Sequence, residues 1–372
     1  MRKVKYFILK IGIVGLNILY TFIKIFPTQK KILFLSRQSN TPSLDYQILY
    51  DALKKKYKDY KIVMYTKKIE NKIAYAFHMI KQMYEIATSK LVLIDSYCIN
   101  ISVLKHKKSL RVIQLWHAIG CMKKFGYANL DTPEGQTTEL AKIMKLHRNY
   151  DAILISSYGF INDYYEGFRY PKDKIKEIPL PRVDYLLDPK NKEKIRKKLY
   201  KRIPELKNKK NILYCSTFRR DSDGSDEHVK RLIKEIDFNK YNLLFKPHPL
   251  NNVVITDKRV ITDFENSQEA LFVADYVICD YSSMIYEIGL LKLPVYLYAY
   301  DWKEYSSKRE LNLDFTKVPA LFTDDPKKIM HDIENNIFDY KAFDKFVKAN
   351  VNVPKDGCTN EIIKLIDSYL NE

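Results

Sequence analysis

Several features are missing from this 372-residue chain, and each absence narrows what it can be. Cysteine occurs only five times, at Cys98, Cys121, Cys215, Cys279 and Cys358, scattered, odd in number and never in a CxxC pair or a Cys/His cluster of metal-ligand spacing. That excludes a disulfide scaffold and a zinc-type site and fits a reducing cytoplasm; no metal and no cofactor are expected. Cys215 and Cys279 fall inside apolar runs and read as small core residues. There is no tandem repeat of solenoid length and no low-complexity tract. Zinc-finger spacing, an RNP-like aromatic motif and a compact basic helix are also absent, which argues against a nucleic-acid reader. Acidic residues do not occur at all before Asp45. The longest charge-free stretch there, residues 11–23, falls short of the roughly 18 apolar residues that a spanning helix needs.

What is present describes a globular chain long enough for two domains, 46% hydrophobic and 29% charged. The balance of 64 Lys+Arg against 45 Asp+Glu gives a net charge of +19, which implies anionic partners: nucleic acid, an anionic membrane surface or phosphate-bearing substrates. Part of that excess reflects a chain rich in Lys, Ile, Asn and Tyr, as an AT-rich genome writes it. The first 27 residues read as a membrane-associating helix. Arg2, Lys3, Lys5, Lys10, Lys24, Lys30 and Lys31 crowd around an apolar segment at 6–26, and no small-residue cleavage site follows it. Lys3, Lys10, Asn17 and Lys24 recur every seven residues, placing a narrow polar stripe on one side of a greasy, cationic helix. Such a helix suits insertion into the interface of an anionic leaflet. The competing reading is an ordinary buried helix of the first domain.

Beyond residue 27, short apolar runs at 32–36, 62–65, 91–95, 111–115 and 152–156 alternate with helical stretches at 46–56, 71–87 and 138–146. This alternation predicts βαβ units and a parallel sheet. A charged helix at 190–202 follows Pro179-Leu180-Pro181-Arg182, and a second series of runs then begins at 211–216, 242–245, 260–262, 276–279 and 295–298. The predicted fold class is α/β. It has two doubly wound, Rossmann-like lobes at 28–190 and 191–355 with a cleft between them, the membrane-associating helix at 1–27 and a terminal helix within 356–372.

Polar residues gather at the ends of these runs, where ligands bind in open α/β sheets. His117 stands just after the run that ends at Leu115, in Gln114-Leu115-Trp116-His117, and His248 stands in Lys246-Pro247-His248-Pro249 after the run at 242–245. Imidazole transfers protons near neutral pH, so two such histidines, one per lobe, suit transfer between two substrates. Cys279-Asp280-Tyr281-Ser282-Ser283 reads as strand, cap and helix start, an anion site suited to a pyrophosphate, with Glu287 one turn in to accept from ribose hydroxyls. An ordinary Asp/Ser cap explains the same residues. The run at 211–216 delivers Thr217, Arg219 and Arg220 to the same rim, where guanidinium groups hold phosphate oxygens bidentately. Asp221-Ser222-Asp223-Gly224 beyond it reads as a turn and not as a metal clamp.

In combination, Gln114-Leu115-Trp116-His117, Pro181-Arg182-Val183-Asp184, residues 212–219, Lys246-Pro247-His248-Pro249 and Asp280-Tyr281-Ser282-Ser283 resemble the CDP-glycerol glycerophosphotransferases of teichoic-acid synthesis, in order and in spacing. Tyr305 to Phe315 with Pro319, and the Asp356-Gly357 turn, extend the likeness, which runs from about Leu110 to the C-terminus. The resemblance implies a GT-B-like fold attached to the inner face of the cytoplasmic membrane. An acceptor, a lipid-linked glycan, would sit on the N-terminal lobe and a CDP-glycerol or CDP-ribitol donor on the C-terminal lobe, with CMP released. It implies His117 and His248 as the catalytic pair, and donor contacts from Thr217, Arg219, Lys246, Asp280, Ser282, Ser283 and Glu287. On the acceptor side it points to Trp116, Ala118, Gly120 and Arg182. Ala118-Ile119-Gly120 and Cys215-Ser216-Thr217 stand where members usually carry Gly-Thr-Pro and Ala-Pro-Thr, so the departures touch the acceptor side and the phosphate rim. The alternatives are a GT-B glycosyltransferase using a nucleotide sugar, and a basic nucleic-acid or membrane-binding module without catalysis.

Overall fold

The computed structural model describes residues 2–217, 225–246 and 255–371. His248 and Arg219, with the whole stretch 218–224, lie outside them. Among the described residues the strands form two all-parallel sheets. The first contains β1 (Lys31–Ser36), β2 (Lys61–Thr66), β3 (Leu91–Ile94), β4 (Arg111–Gln114), β5 (Ala152–Ile155) and β6 (Ile175–Glu177), in the order β2-β1-β3-β4-β5-β6. The second contains β7 (Lys210–Cys215), β8 (Tyr241–Phe245), β9 (Val260–Ile261), β10 (Tyr276–Cys279), β11 (Val295–Tyr298) and β12 (Phe322–Thr323), in the order β12-β11-β10-β7-β8-β9. Central strands such as β1, β3 and β11 are buried along their whole length, which is why β3, β11 and residues 32–35 of β1 read as continuous apolar runs rather than alternating ones.

The strand orders matter for function because each contains a point where the winding reverses. In the first sheet this is between β1 and β3, in the second between β7 and β10. Ligands of doubly wound sheets bind outside the carboxyl ends of the strands at such points. The edge strands β6 and β12 escape a reading by apolar runs, since they have three and two residues.

By packing, the chain divides into one unit of residues 1–182 with 352–372 and another of residues 183–351. The terminal helix Cys358–Leu370 therefore returns to the first unit. Gly357, at φ +88°, makes the turn before it, and Cys358, Ile362 and Ile366 form its buried stripe. Asp367 pairs with Lys56 at the end of α2 (Leu44–Lys56), and the Tyr369 hydroxyl donates to Asp151 O at 3.2 Å.

Helix α1 (Arg2–Ile23) lies on the first unit along most of its length. The Tyr6 hydroxyl meets Thr137 Oγ1 at 2.9 Å, Asn17 Nδ2 donates to Val103 O at 3.1 Å, and the Tyr20 hydroxyl meets His106 Nδ1 at 2.9 Å. This splits the heptad stripe expected from the sequence. Lys3 and Lys10 are exposed, but Asn17 faces the protein because its amide also accepts from Lys105 N–H at 3.0 Å, and Lys24 donates to Lys105 O at 2.9 Å. The outward face is instead apolar: Val4, Phe7, Ile8, Ile11, Val14, Ile18 and Phe22 are all exposed. A buried core helix is thereby excluded.

Candidate active site

His117 stands just past the carboxyl end of β4, and the strand ends there for a specific reason. The side chain of Gln114, fully buried, donates to Ser96 O at 3.3 Å and accepts from the Trp116 N–H at 3.0 Å. Trp116 is thereby held at φ +65°, a left-handed conformation that a bulky side chain adopts at a cost of roughly 1–2 kcal/mol. Such strain collects where function over-determines the backbone. The indole lies beside the His117 ring, with centroids 4.4 Å apart, and leans on Phe125 and Phe168 at 4.7 and 5.2 Å. Three residues on, Gly120 at φ +73° donates its N–H to Ser156 Oγ at 3.1 Å, and Ala118 between them is half-buried.

The hydrogen bonds decide the histidine's tautomer. His117 Nδ1 lies 2.9 Å from Asp95 O, and a carbonyl only accepts, so Nδ1 carries the proton. The Gln38 amide, 3.4 Å from the same nitrogen, is satisfied by turning its carbonyl toward that N–H. Nε2 is left as a lone-pair nitrogen, with no hydrogen bond among the described residues, on a residue that is open to solvent. Although part of the residue is exposed, the protein packed against the rest of the ring, and after it the Arg182 charge, hold the pKa below the ordinary 6.5, against the Asp95 carbonyl and the Asp45 charge. The imidazole is therefore neutral at neutral pH and able to accept a proton.

Arg182 fixes the other side of the histidine. Its Nη2 donates to His117 O at 3.0 Å and also to Asp45 Oδ2, its Nε reaches that same oxygen at 2.8 Å, and its backbone N–H donates to Asp45 Oδ1 at 2.8 Å. The pair is nearly enclosed, with side chains 17% and 5% exposed. Asp95, whose carbonyl orients His117, is itself buried. Burial pushes its carboxyl up to about 6, while the Ser36 and Ser96 hydroxyls pull the other way.

In the second unit the predicted strand ends meet at the reversal point. Thr217, past β7, donates its N–H to both oxygens of Asp280, past β10, at 3.0 Å each, and its hydroxyl donates to Oδ1. Asp280 is fully buried and holds Thr217 in place. Burial first, then the negative charges of Asp280 and Glu287, holds the Cys215 thiol well above its ordinary value while Lys246 pulls it down, which places all three around the end of β7. Lys246 Nζ donates to Phe264 O at 2.7 Å, and Glu287 accepts from Gln268 Nε2 at 2.8 Å. Ser282 and Ser283 are half-buried at the start of the short helix Met284–Leu290, where Ser282 Oγ accepts from Met284 N–H at 3.3 Å and Ser283 makes no side-chain cap.

A neutral, oriented histidine on one unit and a threonine, lysine and serine rim on the other suit a transferase acting on phosphates. The profile of the CDP-Glycerol:Poly(glycerophosphate) glycerophosphotransferase family matches residues 18–367. The chain belongs to this family. It is 28% identical over 357 residues to the teichoic acid ribitol-phosphate primase of Bacillus spizizenii, covering 91% of both chains. To the teichoic acid glycerol-phosphate primase of Bacillus subtilis it is 29% identical over 310 residues, covering 79% of this chain and 77% of that one. In structure it resembles the wall teichoic acid polymerase TagF with a TM-score of 0.77 at 17% identity, covering 99% of this chain and 97% of that one. This glycerophosphotransferase is thus an enzyme with a GT-B-like fold of two Rossmann-like lobes.

Asp45, Asp95 and Gln38 were not singled out from the sequence. Gln38 and Asp95 follow β1 and β3, the strands that flank the reversal point of the first sheet, and that position was the available signal.

Proposed function

We propose that this glycerophosphotransferase moves an alditol phosphate from a CDP-alditol, CDP-glycerol or CDP-ribitol, to a hydroxyl of a lipid-linked glycan at the cytoplasmic face of the membrane. The observation that carries the reading is the forced tautomer of His117. Its Nε2 takes the proton of the acceptor hydroxyl, the oxygen attacks the β-phosphorus, the bond from that phosphorus to the CMP oxygen breaks, and CMP leaves. On the second unit Thr217, held by Asp280, and Lys246, Ser282 and Ser283 receive the donor phosphates, and Glu287 faces the ribose. Arg219 and His248 complete the set by resemblance. Trp116, Ala118, Gly120 and Arg182 shape the acceptor side. Mass spectrometry of the product from a defined lipid-linked acceptor tests this. One alditol-phosphate increment with CMP release is expected. Transfer from a UDP-sugar, with none from either CDP-alditol, would overturn it.

Membrane attachment is part of the same proposal. By length and composition α1 could cross a bilayer. A helix tied to one lobe at both Tyr6 and Tyr20 supports an interfacial position instead. Phe77, Ile80 and Tyr84 of α3 (Lys72–Ala87), which packs against α1, add exposed apolar surface. Replacing Phe7, Ile11 and Phe22 together by serine is expected to weaken co-sedimentation with anionic vesicles by about tenfold or more. Unchanged sedimentation would refute the attachment.

A further inference from the structure

The aromatic wall behind His117 has a second side. Trp116 rests on Phe125 and Phe168, and the chain just beyond each of these enters an open recess of about 690 Å3 lined by Tyr127, Tyr165, Glu166, Arg169 and Tyr170. That volume lies within the range of about 300–1,000 Å3 typical of small-molecule sites.

Two of the tyrosines have their hydroxyls committed to backbone. Tyr127 donates to Leu146 O at 2.6 Å, and Tyr170 accepts from Tyr150 N–H at 2.8 Å with its ring stacked on Tyr150. What they offer a ligand is fixed ring surface. Arg169 ends the helix Ile161–Phe168 at φ +55°, where glycine or asparagine is the usual occupant, and its guanidinium lies 4.5 Å over the Tyr127 ring. Neither the Arg169 nor the Glu166 side chain makes an ion pair or hydrogen bond among the described residues, and both are exposed.

The lining therefore carries one charge of each sign between aromatic walls, while Lys172, 5.7 Å from the Tyr165 ring, donates to Asn162 Oδ1 at 2.7 Å. A phosphate would meet the Glu166 carboxylate, and an acyl chain would strip water from both charges without replacing it. A neutral polyhydroxylated ring satisfies every wall: its C–H face lies on the tyrosines, while its hydroxyls donate to Glu166 and accept from Arg169. We propose that this recess is a saccharide subsite holding a pyranose unit of the acceptor, adjacent to the wall that carries His117. The assignment rests on the glycan-acceptor reading above.

Tyr165→Ala and Arg169→Gly test it in the full chain. Tyr165 is 48% exposed, so truncating it uncovers little, and glycine is at home in the Arg169 conformation. Saturation-transfer NMR with maltose, chitobiose and inorganic phosphate as separate probes should give a disaccharide signal from the parent chain. That signal should weaken by about tenfold in both variants at unchanged Tm. In transfer assays the acceptor KM should rise, with kcat the smaller change. No disaccharide signal from the parent chain, a signal that survives both substitutions, or a Tyr165-dependent signal from phosphate alone would each overturn the subsite. Failure of the parent chain to use any CDP-alditol counts instead against the proposed reaction. Disaccharide binding that depends on Tyr165 would still stand in that case.

Discussion

Replacing His117 by alanine is expected to lower alditol-phosphate transfer by about 10²–10⁴-fold, the usual worth of a positioned general base. The loss should fall on kcat, because the imidazole contributes only when the acceptor proton moves. The pH profile is the more selective readout. His117 must be unprotonated to act, and its pKa lies below 6.5 because surrounding protein disfavours the charged ring. The acid limb of activity should therefore be centred below 6.5, as the ring takes up a proton. An acid limb centred above 6.5, or His117→Ala activity within about threefold of the parent chain, would remove His117 from the role of base. Asparagine makes a useful companion, since its amide can keep the hydrogen bond to Asp95 O but cannot accept the proton. Its activity should be as low as that of alanine.

His117 could be singled out from sequence because local signals agree around it: an apolar run, a polar residue at its end and a turn glycine at Gly120. Thr217, Asp280 and the Ser282-Ser283 pair were legible for the same reason, and the two parallel sheets followed from the alternation that produced these runs. Asp45 was visible only as the first acidic residue of the chain, and nothing local ties it to Arg182, 137 positions away. Their meeting depends on where α2 and the chain after β6 end, which is a property of the packed sheet and not of either segment. The same holds for the terminal helix. Its buried stripe was readable, but its partner was not, since Lys56 and Asp367 lie 311 residues apart. Helix α1 shows the limit in another way. A heptad of polar residues marks a face, but composition does not say whether that face meets water or carbonyl groups, and Asn17 found Val103 and Lys105.

Asp45→Ala is expected to destabilise the first unit by about 3–5 kcal/mol, as seen when one partner of an enclosed ion pair is removed. The carboxylate accepts from the Arg182 backbone N–H as well as from its guanidinium, so truncation strands both donors in a place with little access to water. Loss of a first-turn carboxylate from α2 adds roughly 0.3–1 kcal/mol through the helix dipole. Urea denaturation measures the sum, and a change below about 1 kcal/mol would contradict it. A structural brace alone would stop there, but this one also acts on His117. The Asp45 charge favours the protonated ring and the Arg182 charge opposes it. Asp45→Asn, which keeps the shape and removes the charge, should therefore lower the His117 pKa further and move the acid limb of transfer to lower pH. Replacing the pair together, Asp45→Ala with Arg182→Met, should recover much of the stability, since no buried charge is left unpartnered. It should not recover full activity, because the His117 carbonyl has then lost the Arg182 hydrogen bond that fixes the turn. Stability restored together with full activity would show that the clamp only holds the fold and does not position the base.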